Sequence, residues 1–353
     1  MDIAELRKLA EERVDKLSER DEVLGIMGIF YPELTHVELA VFLDVDLQTP
    51  YTYFSKVKEV TLGERYFSYK LLESPPPYLD HYFYAGDVLF DYDGKLTEVA
   101  EEISKIFFST ERKNLRREYY SSIARSYLDL ASKAMKHECF NSATFFSPFA
   151  IMESGKILVE ASGMIGLWPY LPTRLLRVLE DIKRRDLSKN LLKIFRVFEN
   201  GEKAEEYLNR CLEVIKQYST FVRSFDRKIE SIKDVSIRFE ITSCLSKVFP
   251  RILIKIFDIL VKGESFFSAS FLLDWCLEKI IKGVTLILKV DNKEFEEYKL
   301  LDYRNENETL MALKDLILSA SRIKTSPREH AEKIYGDSLK ILEEFSVIKN
   351  ELG

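Results

Sequence analysis

GIFYPELTHVELAVFLDVD, residues 28–46, holds two short apolar segments separated by a proline. Extended to their full apolar length, the segments are VLGIMGIFY (23–31) and VELAVFLDV (37–45), and both have the size and the branched or aromatic content of buried strands. Pro32 interrupts the pattern and marks a turn. The stretch therefore predicts two neighbouring strands, with His36 and Glu38 at the start of the second.

The residues around these strands complete a small α/β domain. Residues 3–20 repeat apolar positions at helical spacing, and residues 56–74 alternate as a hairpin or strand pair does. SPPPYLDHY (74–82) predicts a rigid connection, because three prolines exclude both a helix and a central strand. GDVLFDYDGKL (86–96) reads as a strand that ends in an Asp-Gly turn.

From about residue 97 onward the apolar period becomes helical and stays so almost to residue 353. Residues 123–156 align without gaps on residues 249–282, which indicates an internal duplication at an offset of 126. Matched identities include Arg125/Arg251, Lys136/Lys262, Glu138/Glu264, Phe140/Phe266, Ser142/Ser268, Ala143/Ala269, Phe145/Phe271 and Lys156/Lys282.

A second block supports the duplication, since residues 204–218 align on 331–345 at an offset of 127. We expect the extra residue of the second copy near residues 291–309. Each copy predicts a long helix, a tight polar turn and a second long helix, with small Ser and Ala residues that allow close packing. Pro148 interrupts the likeness and predicts either a fresh helix start or a kink.

Residues 3–97 resemble the minimal nucleotidyltransferase domain of the DNA polymerase β superfamily. HVELAVFLD (36–44) is similar to that family's DIDLAVFLD, and DVLFDYDGKL (87–96) is similar to its closing strand. The two helical copies resemble HEPN bundles, which often partner such domains. Together the resemblances imply a small α/β nucleotidyltransferase-like domain with a mixed sheet (1–105), followed by a mainly α region of two tandem helical bundles (106–225 and 232–353).

The nucleotidyltransferase resemblance implies a site that this chain carries in altered form. The family's chemistry needs a carboxylate trio that holds two metal ions and a Gly-Ser turn that holds the triphosphate. Here His36 and Glu38 stand in place of two aspartates, and Ile29 follows Gly28. The implied catalytic positions are therefore His36 and Glu38, with Gly25 and Gly28 as the implied nucleotide-binding glycines.

If the site is active, Glu38 with Asp44 or Asp46 would hold Mg²⁺; if it is not, Glu38 is vestigial. Strand geometry disfavours the metal, because Asp44 lies six residues beyond Glu38, roughly 20 Å along an extended strand. The sequence thus predicts a pseudoenzyme.

Two basic clusters are candidate nucleic-acid contacts. The first lies in ERKNLRREYYSSIAR (111–125) beside two tyrosines, and the second lies in DIKRRD (181–186). Basic side chains next to aromatic rings can hold phosphates and stack bases, although a solvated helix face would have the same composition. The candidate residues are Arg112, Lys113, Arg116, Arg117, Lys183, Arg184 and Arg185.

HEPN ribonucleases have a histidine four to six residues after an arginine, and neither copy has that spacing. His137 follows Arg125 by twelve residues, and His330 follows Arg322 by eight and Arg328 by two. Ribonuclease activity is therefore not expected.

Length and composition restrict the classes of protein to which this chain can belong. The 353 residues suit two or three domains, and no apolar run is long enough to span a membrane. The first helix is charged, unlike a secretory signal, and the four cysteines lack metal-ligand spacing, so a reducing cytoplasm is expected. Gln occurs twice among many Lys and Glu residues, which favours a thermophilic source. Net charge is −11 over residues 1–105 and +5 over the remainder, as expected for domains with different roles.

The leading prediction is a catalytically degenerate nucleotidyltransferase-like protein that acts by binding a nucleotide, RNA or a protein partner. One alternative is an active metal-dependent nucleotidyltransferase with an atypical site. Another is an antitoxin-like or assembly protein with no small ligand. The aromatic residues of the bundles also allow a homodimer, the usual state of HEPN bundles.

Overall fold

The computed structural model describes residues 1–47, 50–165, 170–291, 294–303, 307–323 and 328–352. The chain divides into two compact units, which we call the sheet unit (Met1–Arg116 with Arg227–Ile259) and the helical unit (Arg117–Asp226 with Leu260–Gly353). The domain limits expected from the sequence (1–105, 106–225 and 232–353) follow from the expected duplication and stay a prediction. The compact units have other limits, because residues 227–259 cluster with the sheet.

The strands and helices of the described residues are as follows. The strands are β1 (Val23–Tyr31), β2 (His36–Leu43), β3 (Tyr51–Val57), β4 (Val60–Ser68) and β5 (Asp87–Asp91). The helices are α1 (Ile3–Ser18), α2 (Asp80–Ala85), α3 (Lys95–Ile106), α4 (Thr110–Lys136), α5 (Phe140–Ala161), α6 (Leu171–Asp181), α7 (Arg185–Ile194), α8 (Gly201–Arg223), α9 (Asp226–Glu230), α10 (Val235–Thr242), α11 (Phe249–Lys262), α12 (Phe266–Asp291), α13 (Glu308–Ala320) and α14 (Arg328–Leu352).

The five strands form one mixed sheet in the order β3-β4-β2-β1-β5. β2 and β4 run parallel, and the other neighbouring pairs are antiparallel. The predicted fold class is confirmed, because a small α/β domain with a mixed sheet precedes a mainly α region that holds both helical copies.

Alternation along β2 gives the sheet two different faces. Val37, Leu39, Val41 and Leu43 belong to the core that α1 covers. Glu38, Ala40 and Phe42, which alternate with them, and His36, which precedes Val37, therefore point to the opposite face. The predicted strands at 23–31 and 37–45 are confirmed within two residues at each end.

Residues 239–249, near the start of the expected second copy, pack on the edge of the sheet. Phe239 of α10 stacks on Tyr51 of β3 with ring centroids 4.3 Å apart, and Phe249 contacts Phe54 at 5.1 Å. The Ser246 hydroxyl donates a hydrogen bond to the backbone oxygen of Phe54 at 3.2 Å. These contacts cover an edge strand that would otherwise expose unpaired backbone groups.

In the helical unit, backbone features recur at the offset read from the sequence. Glu138 and Glu264 have φ of 58° and 54°, and Arg196 and Arg322 have φ of 48° and 60°. Non-glycine residues seldom adopt this left-handed conformation, so two pairs at an offset of 126 support the predicted duplication.

Helices from the two expected copies pack against each other inside the helical unit. α14 of the second copy packs against α5 of the first, and α8 of the first packs against α12 and α13 of the second. Asp302 accepts hydrogen bonds from the backbone N–H groups of Asn141 and Ser142 at 3.1 and 3.0 Å, at the start of α5. Across the copies, the hydroxyls of Thr173 and Ser268 lie 2.8 Å apart.

Two expectations about the copies need revision. Pro148 lies inside a continuous α5, so the fresh helix start does not occur. The offset is still 126 at Arg196 and Arg322 and reaches 127 where α8 and α14 begin, so the extra residue lies after Arg322. Its expected place at 291–309, part of which lies outside the described residues, is wrong. No helix in the described ranges is long and apolar enough to cross a membrane.

Candidate functional site

The implied catalytic residues lie side by side on the sheet face opposite α1. The register pairs Glu38 with Ile29 of β1 and with Gly63 of β4, and it pairs His36 with Tyr31 and Thr61. On the same face, Arg65 lies two residues beyond Gly63 on β4, opposite Ala40. The site is thus built from β2 and β4, whose parallel pairing brings distant parts of the sequence together.

His36 is fully enclosed by its neighbours. Its imidazole is 2% exposed, and its Nδ1 lies 3.0 Å from the Thr61 hydroxyl oxygen. Burial, with a smaller effect from the Lys255 charge, lowers the pKa of His36 to about 4, so the ring is neutral near pH 7. His36 is thus a buried, neutral imidazole in contact with the Thr61 hydroxyl.

Glu38 has a different environment. Burial raises the pKa of its carboxyl group to about 7, and the opposing effect comes from the Arg65 charge. Burial, followed by the Glu38 charge, also raises the pKa of Tyr82, which is hydrogen-bonded to Arg65. The Arg65 guanidinium lies 5.4 Å from the Phe67 ring centroid and 5.9 Å from that of Tyr78. Glu38, Arg65, Tyr78 and Tyr82 form a polar cluster, which we call the Glu38 cluster.

The side chains of this face do not fit a two-metal centre. A metal pair that activates phosphoryl transfer needs several carboxylates at bonding distance. The facing positions of β4 are Thr61, Gly63 and Arg65, so Glu38 has a guanidinium where a second carboxylate is needed. Within the described ranges no three His, Cys, Asp or Glu residues converge as metal ligands.

Asp44 and Asp46 do not add to this site. Both are exposed and lie beyond the end of β2, and Asp46 pairs with Lys70 at 3.6 Å. The proposed Mg²⁺ position with Glu38 and either aspartate is therefore not formed.

Gly25 and Gly28 lie in the middle of β1 rather than in a phosphate-binding turn. A Cβ atom at Gly25 would lie 2.7 Å from Leu96 Cδ2, and one at Gly28 would lie 2.8 Å from Leu89 Cδ1. The glycines therefore allow close packing of α3 and β5 on β1. Their predicted role in nucleotide binding is not supported, because their backbone N–H groups belong to a strand.

Arg112 and Arg116 are buried and cannot form a basic surface. Arg112 Nε donates to both oxygens of Asp80 at 3.0 and 2.9 Å, and Arg116 Nη1 donates to Asp80 at 3.0 Å. The backbone oxygens of Pro75 and Phe107 accept further N–H groups at 2.8 and 2.9 Å. One carboxylate and two carbonyls thus fix the start of α4 in the sheet unit. The prediction that these two arginines contact nucleic acid is wrong for this reason.

The other basic candidates lie nearer the surface. Lys113 and Arg117 are half-buried, whereas Lys183, between α6 and α7, and Arg185, the first residue of α7, are exposed. Arg184 pairs with Glu344 at 3.3 Å. Of the seven predicted residues, Lys183 and Arg185 remain the best placed for an exposed anionic partner.

Sequence reasoning missed Glu64, which is the best satisfied acid of the sheet. Glu64 is 0% exposed on the α1 side and accepts hydrogen bonds from Arg13 Nε and Nη2 at 2.9 and 2.8 Å. The Tyr66 hydroxyl donates at 2.6 Å, and the Ser55 hydroxyl donates as well. A charged residue inside an apolar alternation was the available signal.

Comparisons with known proteins give little further information. No family model and no curated protein matches the sequence. The crystal structure of a nucleotidyltransferase-like protein from Exiguobacterium sibiricum 255-15 is similar over 89% of both chains, with 13% identity and a TM-score of 0.30. A TM-score of 0.30 is too low to establish a shared fold, and no inference below rests on it.

Proposed function

We propose that the sheet unit is a nucleotidyltransferase-like domain that has lost metal-dependent transfer and acts by binding a nucleotide. The observation that carries this proposal is the donor set of the Glu38 cluster. It offers one carboxyl group with a pKa of about 7 beside a guanidinium, instead of a carboxylate trio. Such a set disfavours a metal pair and suits an anionic, hydrogen-bonding ligand.

A nucleotide is the best ligand for the chemistry of the cluster. Arg65 and Tyr78 are both partly exposed, so a phosphate can reach the guanidinium and a base can stack on the ring. Protonated Glu38 can donate a hydrogen bond, and ionised Glu38 can accept one from a base or ribose. RNA could use the same groups of the sheet unit. In the helical unit, Lys183 and Arg185 are separate, exposed candidates for RNA.

For the helical unit we propose two HEPN-like copies that pair within one chain. The exchanged packing of α14 on α5 and of α8 on α12 supports this reading. Paired copies satisfy each other's apolar faces, so we expect a monomer in solution. Light scattering during size-exclusion chromatography tests this, and a mass near 83 kDa, twice the 41.3 kDa of the chain, would favour the predicted homodimer instead.

Thermal unfolding with each nucleoside triphosphate tests nucleotide binding. A ligand at 100 times its dissociation constant adds roughly 2.7 kcal/mol to the free energy of unfolding. We expect a rise in unfolding temperature for at least one nucleotide, and we expect Arg65→Gln to abolish it. Arg20→Gln is the matched control, because Arg20 forms an exposed ion pair with Glu22 in the same unit.

Each other outcome selects a different function. A rise that requires Mg²⁺ or Mn²⁺ and disappears in Glu38→Ala would establish the active nucleotidyltransferase. No rise with any nucleotide would contradict nucleotide binding and favour a partner protein or RNA.

A further inference from the structure

Arg196 and Arg322 occupy equivalent places in the two helical copies. Arg196 lies two residues after the end of α7, and Arg322 lies two residues after the end of α13. Both have left-handed backbones, and their N–H groups donate to Lys193 and Ser319, three residues earlier. The duplication thus places one arginine of each copy at the same kind of helix end.

Arg322 pairs with a buried carboxylate, Asp274, whose charge also acts on Arg196. Arg322 Nη2 donates to both oxygens of Asp274 at 2.7 Å, and the side chains of this pair are 5% and 4% exposed. The Arg322 guanidinium also lies 4.8 Å from the Phe198 ring centroid and 5.6 Å from that of Tyr207. Asp274 and Arg322 are the charges that most affect Arg196. We call Arg196, Arg322, Asp274, Phe198 and Tyr207 the arginine cluster.

The arginine cluster contains two guanidinium groups and one carboxylate, so its positive charge is in excess. Nε and Nη1 of both Arg196 and Arg322 are buried, and none of them has a hydrogen-bond partner among the described residues. Burial lowers the pKa of Arg196 to about 10, in keeping with a guanidinium that lacks full neutralisation. Buried polar groups are seldom left unpaired, because each unmade hydrogen bond costs the desolvation of that group.

The sheet unit also contains two buried arginines beside one aspartate, and there the arginine N–H groups have further acceptors. Asp80 accepts hydrogen bonds from two buried arginines, Arg112 and Arg116. The backbone oxygens of Pro75 and Phe107 accept further N–H groups of these arginines. No described carbonyl does this for Nε or Nη1 of Arg196 and Arg322. The difference indicates that an acceptor from outside the described chain completes the arginine cluster.

We propose that the arginine cluster binds a phosphate group, held between one arginine from each helical copy. Phosphate presents several strong acceptor oxygens to the four unpaired N–H positions, and its charge balances the excess guanidinium. Asp274 engages Nη2 of Arg322, which leaves that residue's other N–H groups to the ligand. Tyr207 and Arg196 are half-buried as whole residues, so the cluster lies just below the surface. This site is separate from the Glu38 cluster and does not depend on the proposed function.

Unfolding temperature in inorganic phosphate, measured against chloride at equal ionic strength, tests the proposal on the full chain. A second arm uses ATP without metal, since the phosphate group can be free or carried by a nucleotide. We expect one of the two ligands to raise the unfolding temperature by about 5 °C near saturation. Arg196→Gln should abolish that rise and leave the protein folded, because no described group accepts a hydrogen bond from its Nε or Nη1.

Arg223→Gln is the matched control, because Arg223 is an exposed arginine at the end of α8 in the same unit. It should keep the full rise. Arg322→Gln should also lose the rise, and if that variant does not fold, Arg196→Gln decides alone. A rise in inorganic phosphate that is equal in wild type and Arg196→Gln, or no rise in wild type with either ligand, would overturn the site. An ATP rise lost in Arg65→Gln but kept in Arg196→Gln belongs to the Glu38 cluster, and the arginine cluster is then overturned unless Arg196→Gln loses a rise in inorganic phosphate.

Discussion

Glu64 and Glu38 lie on neighbouring strands of one sheet, yet they face opposite sides and differ in every interaction. Glu64 is surrounded by donors from α1, β3 and β4. Glu38 has the charge of Arg65 as the interaction that opposes its burial, and its pKa rises to about 7. A buried carboxylate with a full set of donors stabilises a fold, whereas one without them is a candidate for function.

The largest change in the free energy of unfolding should come from removing Glu64, the carboxylate with a full set of hydrogen-bond donors. Glu64→Ala leaves Arg13, Tyr66 and Ser55 without their acceptor, and we expect a loss of about 3 kcal/mol in the free energy of unfolding. Denaturant unfolding followed by circular dichroism measures it. Glu59→Ala is the control, since the Glu59 side chain is 82% exposed and should change stability by less than about 0.5 kcal/mol. Equal losses in both variants would remove the distinction between the two acids.

His36 should make the protein less stable in acid. Its pKa is about 4 in the folded protein and 6.5 as the ordinary value, so the unfolded chain binds a proton that the folded chain does not between these pH values. Stability is therefore fully present above pH 6.5 and falls by about 3 kcal/mol as pH drops towards 4. The difference between wild type and His36→Gln, followed over that range, isolates this contribution. A constant difference would mean that His36 is not held neutral.

Glu38 should have the opposite effect to His36 and make the protein less stable as pH rises. Its folded pKa of about 7 lies above the ordinary 4.5, so the folded protein binds the extra proton between these values. Stability is then highest below pH 4.5 with respect to this group and falls by about 3 kcal/mol as pH rises past 7. Glu38→Gln should remove that fall and be the more stable protein at pH 8. If Glu38→Gln is less stable at pH 8, the carboxylate has donors like those of Glu64.

The smallest effect concerns the exposed basic residues. Lys183→Gln and Arg185→Gln should each change the free energy of unfolding by less than about 0.5 kcal/mol, because no buried group depends on them. If RNA binds there, each variant should reduce the salt dependence of binding by about one ion. Filter binding of a short single-stranded RNA at several salt concentrations measures this. An unchanged salt slope would leave the second basic cluster as a solvated helix end.

Local patterns predicted the elements well. The alternation and branched residues of 23–31 and 37–45 are properties of neighbouring residues, and the structure places β1 and β2 there. The helical region followed from its 3.6-residue period in the same way. These features depend on contacts close in sequence, so the sequence alone contains their signal.

The candidate site was predicted less well, because its contacts are distant. Arg112 donates a hydrogen bond to Asp80, which is 32 residues away in the sequence, and Arg13 donates one to Glu64, which is 51 residues away. Basic side chains beside tyrosines predict a phosphate contact for Arg112, but its partner is the remote Asp80. The resemblance implies that Gly25 and Gly28 bind a nucleotide, although a glycine inside a strand also marks a close approach, here of Leu96 and Leu89.

Thermal unfolding with a nucleoside triphosphate, with and without Mg²⁺ or Mn²⁺, in wild type and Glu38→Gln, tests the central claim most directly. Asp46→Asn serves as the matched acid control, because Asp46 is an exposed carboxylate beyond the end of β2. If the sheet unit has lost its metal chemistry, any nucleotide-induced rise in unfolding temperature will be the same with and without metal. A rise that needs the metal, disappears in Glu38→Gln and persists in Asp46→Asn would contradict the account and establish Glu38 as a metal ligand.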